Sequence, residues 1–289
     1  MQSDQTQMKS VVLTSLLLAG IVASCWQAAR ADEAPSGGNE PAASEPQLTL
    51  KMSGYLEAGA SDDLLTGGFP NRHAEFVRGE IRPEAGERWM AEINEITQFG
   101  DTGTLFVAGY ENEIAQLWIV QAGVSSSAGG ITLPRLRLDL ALGKKWLDEH
   151  NLVTTVGITE VQSKDVHRDH ALQFSTAYFF DISGQPWAVE GGVLHNASDP
   201  GSIGATSYYA ALTTGREKER VVSLRIGAGR EAYQLVGSSI ALDNFPSNTL
   251  LFTWREWLTK DYGFQLRVDT YHNPFYDRRG IEASWFAEF

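Results

Sequence analysis

The last segment of the chain, Ile281-Glu-Ala-Ser-Trp-Phe-Ala-Glu-Phe289, alternates with a period of two residues. Successive side chains of a β-strand point to opposite faces of its sheet. The apolar face of this segment carries Ile281, Ala283, Trp285, Ala287 and Phe289, and the opposite face carries Glu282, Ser284 and Glu288. The segment therefore predicts a β-strand that has one apolar face and one polar face.

The same alternation recurs through the chain before this segment. It is clearest at Leu136-Arg-Leu-Asp-Leu-Ala-Leu142 and returns strongly at Tyr262–His272, whereas no convincing stretch shows the spacing of an amphipathic helix. The pattern predicts an all-β protein of 14 strands, with 12 possible because the alternation between Arg72 and Tyr110 is weak. The predicted strands cover 48–60, 72–83, 86–97, 102–110, 113–125, 134–146, 151–161, 168–180, 186–197, 205–215, 219–229, 248–258, 262–272 and 279–289.

Composition excludes several classes of protein. The chain of 289 residues has 23 Lys and Arg against 36 Asp and Glu, so its net charge of −13 argues against a nucleic-acid partner. A single cysteine excludes a disulfide framework and a zinc site built from cysteines. The mean hydropathy of −0.21 argues against a bundle of membrane helices, although strands that alternate apolar and polar residues would give the same average.

The predicted strands allow either a soluble barrel or a barrel that spans a membrane. Tight connections near Glu84, Glu217 and Lys260 alternate with longer links at Ser61–Asn71, Ser126–Leu133, Ser198–Gly204 and Arg230–Ser247, as in outer-membrane barrels. Trp146, Trp187, Trp257, Tyr262 and Phe289 lie near predicted strand ends, where interfacial aromatic girdles form. A soluble periplasmic β-barrel that acts as a binding module remains the alternative.

The apolar face that ends on Phe289 resembles the signal by which Gram-negative outer-membrane barrels are recognised for insertion. We therefore expect an antiparallel transmembrane up-and-down β-barrel in the cell outer membrane. Outer-membrane lipids and the barrel assembly machinery are its expected partners.

The first part of the chain predicts export. An apolar run at 11–23 is too short to span a bilayer, and Ala29-Arg-Ala31 is a small-x-small cleavage signal, so residues 1–31 are expected to be a signal peptide cleaved after Ala31. Lipoprotein cleavage before Cys25, at Val22-Ala-Ser-Cys25, is the less favoured alternative. Residues 32–47 are acidic and rich in Pro, Gly, Ala and Ser, which predicts a disordered periplasmic linker ahead of a barrel domain at 48–289.

Spaced aromatic and glycine positions suggest a family. The chain resembles the YaiO-type outer-membrane β-barrel proteins, chiefly through its C-terminal half. The positions that carry the resemblance are Ser207-Tyr-Tyr to Gly215-Arg-Glu217, Gly229-Arg-Glu-Ala-Tyr233, Trp254-Arg-Glu-Trp257, Asp261-Tyr-Gly263, Asn273-Pro-Phe-Tyr-Asp-Arg278 and Gly280. Leu133-Pro-Arg135 and the stretch from Trp89 to Phe99-Gly100 fit more loosely. The resemblance implies a small outer-membrane barrel without an assigned activity and hints at a surface-polysaccharide setting.

If the predicted strands close into a barrel, the charged side chains of their polar faces would point into its interior. The candidate lumen-lining residues are Arg135, Arg137, Asp139, Arg225, Arg255, Arg267 and Asp269. These groups could set the charge selectivity of a pore or could pair into a plug. The expected protein is non-enzymatic, without metal or cofactor, and acts as a narrow channel, an export partner or a structural surface protein, with polysaccharide as a further candidate partner.

Two chemical alternatives have weaker support. His272 beside Asn273, with Ser284 or Ser207 as nucleophile, is the best candidate for an outer-membrane hydrolase acting on lipids, but no Gly-x-Ser-x-Gly motif accompanies it. His167-Arg-Asp-His170 is the only close histidine pair, and a metal would need further ligands from elsewhere in the fold.

Overall fold

The computed structural model describes residues 52–200, 203–233 and 243–289. The predicted signal peptide, Cys25 and the predicted linker at 32–47 lie outside these residues. The strands are β1 (Ser53–Leu65), β2 (Arg72–Arg82), β3 (Glu87–Gln98), β4 (Asp101–Ile114), β5 (Trp118–Gly129), β6 (Leu136–Trp146), β7 (Leu152–Gln162), β8 (Arg168–Ile182), β9 (Gln185–Asp199), β10 (Ile203–Arg216), β11 (Arg220–Tyr233), β12 (Asp243–Trp257), β13 (Tyr262–His272) and β14 (Asp277–Glu288).

The 14 strands form one closed antiparallel barrel in which each strand pairs with its neighbours in sequence. Closure comes from β1, which pairs with β14 from Tyr55 opposite Glu288 to Leu65 opposite Arg278. The predicted up-and-down barrel and its count of 14 strands are thereby confirmed, and the alternative count of 12 strands is wrong. In the described part of the chain, no helix has the length and apolar character needed to cross a membrane.

Several strand boundaries differ from the sequence prediction. β11 continues to Tyr233 and β12 begins at Asp243, so the long link expected at Arg230–Ser247 is partly strand. β1 continues to Leu65, so part of the long link expected after 60 is strand. The connection expected at 111–112 lies at 115–117 instead, where Ala115 and Gln116 adopt positive φ values of 54° and 64°. Sequence reasoning locates such turns by glycine, asparagine or proline, and this turn contains none of them.

The alternation of side chains is the main determinant of the two barrel surfaces. Leu138, Leu140 and Leu142 are exposed on the outer surface, whereas Arg137, which precedes Leu138, is buried. Ion pairs identify the buried face as the interior, because Arg78 on β2 reaches Glu282 on β14 across the intervening β1. Side chains of strands two apart converge on the concave inner face of a closed barrel and diverge on its outer face, so this contact places them inside.

The predicted aromatic girdle is correct only in part. Trp146, Tyr262 and Phe289 are exposed. Trp257 instead lies inside, where its indole donates a hydrogen bond of 3.0 Å to Glu288 and its ring packs against Phe286 at 5.2 Å. Its position two residues after Arg255 places it on the polar face of β12, so the strand period outweighs the aromatic character of the side chain.

Candidate functional site in the barrel lumen

The lumen has a densely packed side, formed by the inward faces of β12–β14 and β1–β4, which we call the filled wall. Its centre is Glu57 on β1, which is 1% exposed. Arg78 donates a hydrogen bond of 2.7 Å to Glu57, and the Ser284 hydroxyl donates one of 2.5 Å. Arg255 lies 3.6 Å from the second carboxylate oxygen of Glu57. One carboxylate thus holds side chains from β2, β12 and β14 together inside the barrel.

A second network extends the filled wall toward the end of the barrel where β1 begins, which we call the lower end. Arg88 on β3 lies 2.7 Å from Glu111 on β4 and 3.5 Å from Glu80 on β2. Arg82 donates a hydrogen bond of 2.6 Å to Glu80, and Lys145 on β6, beyond the edge of the filled wall, lies 2.5 Å from Glu113 on β4. Buried charges of both signs therefore neutralise one another along the strands, as burial in a low-dielectric interior requires.

Most of the predicted lumen-lining residues lie on inward faces, but they form separate pairs rather than one ring. Arg137 donates two hydrogen bonds of 2.8 Å to Asp139 on its own strand. Arg267 lies 3.5 Å from Glu282, and Arg278 lies 2.8 Å from Asp269.

The remaining three predicted residues have different surroundings. Arg255 belongs to the Glu57 network, and its guanidinium also lies 3.6 Å above the Phe286 ring. Arg225 lies over the Tyr209 ring. Arg135 precedes β6 and is exposed at the rim, where it donates a hydrogen bond of 2.9 Å to Gln162. Whether any of these residues controls permeation stays a prediction.

Sequence reasoning missed the carboxylates that organise the filled wall. Glu57, Glu80 and Glu111 have strand positions consistent with inward faces. Glu80 lies in the stretch of weak alternation between 72 and 110, and Glu111 lies in the connection expected at 111–112. Arg278 precedes the predicted last strand at 279–289, yet it lies in β14 and its side chain reaches inward to Asp269. The hydrogen-bond register across β1, β2 and β14, which the sequence does not specify, brings these groups together.

The predicted insertion residues lie on the outer face of β14 or follow it. Ile281, Ala283, Trp285 and Ala287 are exposed there, and the backbone of Phe289 exchanges hydrogen bonds of 2.9 Å with Gly54. Recognition of this segment by assembly machinery stays a prediction.

The opposite side of the lumen, the inward faces of β7–β11, is lined mainly by small and hydroxyl side chains, and we call it the open wall. Thr155, Thr159, Ala177, Ala211 and Thr213 are inward-facing and only partly buried. Side chains of this size cannot reach the filled wall across a barrel of 14 strands. The accessible space of the lumen therefore borders the open wall.

One polar group stands out on the open wall. The Tyr209 hydroxyl donates a hydrogen bond of 2.5 Å to Glu190, and the guanidinium of Arg225 lies 3.7 Å above the Tyr209 ring. Glu190, Tyr209 and Arg225 come from β9, β10 and β11, which are neighbours in the barrel. This group presents a cation, an anion and an aromatic ring to the accessible part of the lumen.

An aromatic cluster covers the upper end of the filled wall, opposite the lower end. Phe69 from the β1–β2 connection packs edge-on against Phe99 at 5.7 Å and against Tyr276 at 5.5 Å. Tyr271 and Phe245 complete the buried cluster. Burial raises the pKa of the Tyr276 phenol, so this side chain stays neutral well above its ordinary titration range.

The structure does not bring together the residues of the two chemical alternatives. His272 bonds to Asp277 at 2.6 Å, and both are exposed on the outer face, whereas Ser284 and Ser207 face the lumen. The hydrolase residues are thus not brought together. His167 pairs with Asp165 at 2.6 Å while His170 points away from the lumen, and among residues 52–200, 203–233 and 243–289 no three metal-ligating side chains converge.

Comparisons with known proteins agree with this architecture. A bacterial polysaccharide outer-membrane secretin superposes with a TM-score of 0.50 at 10% identity, covering 82% of this chain and 98% of the other. The outer-membrane protein Omp33 of Acinetobacter baumannii gives a TM-score of 0.50 at 12% identity, covering 81% and 98%. At these identities the similarity shows the fold alone. No curated protein sequence matches the chain.

A family model gives the more specific result. The model described as the YaiO membrane beta barrel domain matches residues 53–234, which span β1 through β11. The motifs of β12–β14 that suggested the family lie beyond the matched range, but the matched range covers more than half of the chain. The chain therefore belongs to the YaiO family of membrane β-barrel domains.

Proposed function

We propose that this outer-membrane β-barrel is a narrow, non-enzymatic channel for small polar solutes. The observation that carries the proposal is the asymmetry of the lumen, in which large ion-paired side chains occupy the filled wall and small hydroxyl side chains border accessible space at the open wall. The conducting path would follow β7–β11, with the upper end facing the cell exterior and the lower end facing the periplasm.

The strand number supports a narrow path. Barrels of about 8 strands are filled by their side chains, whereas barrels of about 16 to 18 strands leave a wide aqueous channel. A barrel of 14 strands lies between these cases. Arginines and carboxylates that pair within one wall reduce the bore further without closing it on the other side.

An export role or a structural surface role would use the same barrel without steady conduction. The polysaccharide secretin among the structural relatives keeps polysaccharide as a candidate cargo, and outer-membrane lipids and assembly machinery remain proposed partners. Small polar solutes are favoured because the accessible wall offers hydroxyl groups and few large side chains.

A matched pair of alanines on β10 tests the proposal. Ala211 faces the lumen opposite Glu190 and Arg225, whereas Ala210 is exposed on the outer face. Full-length protein in planar bilayers should conduct steadily, and Ala211→Trp should reduce the single-channel conductance at least about twofold because it fills the open wall. Ala210→Trp should leave the conductance unchanged. A silent wild-type barrel, or equal conductance in both variants, would contradict the channel.

A further inference from the structure

Arg225 differs from the other cations that face the lumen. Each of the other inward-facing arginines and lysines in the described strands has a carboxylate oxygen within 4.0 Å, namely Arg72, Arg78, Arg82, Arg88, Arg137, Lys145, Arg255, Arg267 and Arg278. Within the same described residues, Arg225 has no carboxylate oxygen within 4.0 Å. Its guanidinium lies over the Tyr209 ring, and Glu190 interacts with it electrostatically from beyond ion-pair distance. Its guanidinium is therefore left with donors that no protein carboxylate satisfies.

The position of this guanidinium is fixed by its neighbours. A Cβ atom at Gly192 would lie 2.5 Å from the Tyr209 ring, so the ring lies directly over the glycine backbone on one face. Arg225 covers the Tyr209 ring, and the hydrogen bond from the hydroxyl to Glu190 fixes the end of the ring. Stacking on an aromatic ring holds the guanidinium plane while leaving its in-plane N–H donors available.

A small side chain and two hydroxyl groups lie beside Arg225 on the open wall. Its partners in the ladders on either side are Ala211 and Leu251, and Ser223 is the next inward residue on its strand. The Ser223 hydroxyl accepts a hydrogen bond of 2.8 Å from Thr213. Space, a fixed guanidinium and adjacent hydroxyl groups thus occur together on the open wall.

We propose that Arg225 binds the carboxylate of a small hydroxylated acid inside the lumen, with the hydroxyl groups of Ser223 and Thr213 beside the bound molecule. This inference rests on the proposed channel, because it assigns a class of solute to the open wall. A guanidinium matches a carboxylate through two parallel hydrogen bonds, and an ion pair formed there would satisfy the donors that the protein leaves unpaired. Glu190 opposes this binding through its like charge, and it positions Tyr209 beneath the guanidinium.

Gluconate and sorbitol are suitable probes, because both are polyols and only gluconate carries a carboxylate. Calorimetric titration of the detergent-solubilised full chain at low ionic strength should show gluconate binding and no comparable sorbitol binding. Arg225→Gln should weaken gluconate binding at least about tenfold, and Arg225→Lys should recover part of it because the charge remains without the planar fork. Glu190→Gln should strengthen it, since the repulsive charge is removed.

Arg279→Gln is the matched control, because Arg279 is exposed on the outer face of β14. It should bind gluconate like the wild type, and heat-modifiable gel mobility should show that every variant is folded. Equal gluconate affinity in wild type and Arg225→Gln, equal binding of sorbitol, or no gluconate binding by the wild type would overturn the site even in a conducting barrel. Gluconate binding that depends on Arg225 in a barrel without conductance would overturn the channel and retain the site.

Discussion

The filled wall and the open wall are built from the same period-two strands, yet their inward faces differ in size and in pairing. Glu57 on the filled wall contacts side chains from four other strands. Glu190 on the open wall accepts one hydrogen bond, from Tyr209, and remains partly exposed. Alternation makes both walls polar, whereas side-chain volume determines which wall is filled.

The difference also separates stability from permeation. In the filled wall, each buried charge has lost its water and depends on a protein partner. In the open wall, water can replace a partner that is removed, so the energetic cost is small while the effect on passing solutes is large. Substitutions of equivalent residues in the two walls should therefore have opposite consequences.

The largest effect is expected from Glu57→Ala. Removing this carboxylate leaves Arg78 and Arg255 with one opposing charge fewer in the interior, and breaking a buried ion pair from one side costs about 3 kcal/mol or more. The free energy of unfolding, measured by urea titration with tryptophan fluorescence in detergent micelles, should fall by this amount.

Glu190→Ala is the control for this prediction. Its loss should lower the free energy of unfolding by about 1 kcal/mol or less, because lumen water can satisfy the Tyr209 hydroxyl. Equal destabilisation by the two substitutions would show that the walls do not differ in solvent access.

A second pair of substitutions compares packing without charge. A Cβ atom at Gly263 on the filled wall would overlap the carbonyl oxygen of Glu256 and lie 2.5 Å from the Phe286 ring. A Cβ atom at Gly157 on the open wall would make an ordinary contact of 3.4 Å with Ala141. Gly263→Ala should therefore destabilise the barrel by about 2 kcal/mol through overpacking.

Gly157→Ala should change the free energy of unfolding by less than about 0.5 kcal/mol under the same urea titration. A large loss of stability in Gly157→Ala would indicate that the open wall is packed as tightly as the filled one.

The sequence predicted the barrel because its determinant is local. Alternation at Leu136–Leu142 and Ile281–Phe289 predicts the strand faces without knowledge of any partner strand. The turn at Ala115 and Gln116 was misplaced because its positive φ angles occur in residues that carry no turn signal. Trp257 faces inward because it lies two residues after Arg255 on the same strand, which is also local information. The prediction placed it in the aromatic girdle on the strength of its side-chain type instead.

The contents of the lumen were less predictable because they depend on register and closure. Arg255 was recognised as inward-facing, but its carboxylate partners, Glu57 and Glu288, lie on β1 and β14 and approach it across the barrel. The exceptional character of Arg225 is likewise a property of what surrounds it. A period-two pattern indicates the face of a strand but gives no information on which charges meet in the interior.

The smallest expected effect separates two tyrosines of the aromatic cluster at the upper end of the filled wall. The Tyr271 hydroxyl donates to Glu231 at 3.1 Å and accepts from Asn273 at 3.1 Å, whereas the buried Tyr276 hydroxyl has no hydrogen-bond partner among the described residues. Tyr271→Phe should lower the free energy of unfolding by about 1.5 kcal/mol in urea titration. Tyr276→Phe should leave it unchanged or slightly higher, because it removes a desolvated hydroxyl. A larger loss of stability in Tyr276→Phe than in Tyr271→Phe would contradict this prediction. It would mean that the aromatic cluster depends on the Tyr276 hydroxyl rather than on the hydrogen bond from Tyr271 to Glu231, and that the upper end is stabilised separately from the filled wall.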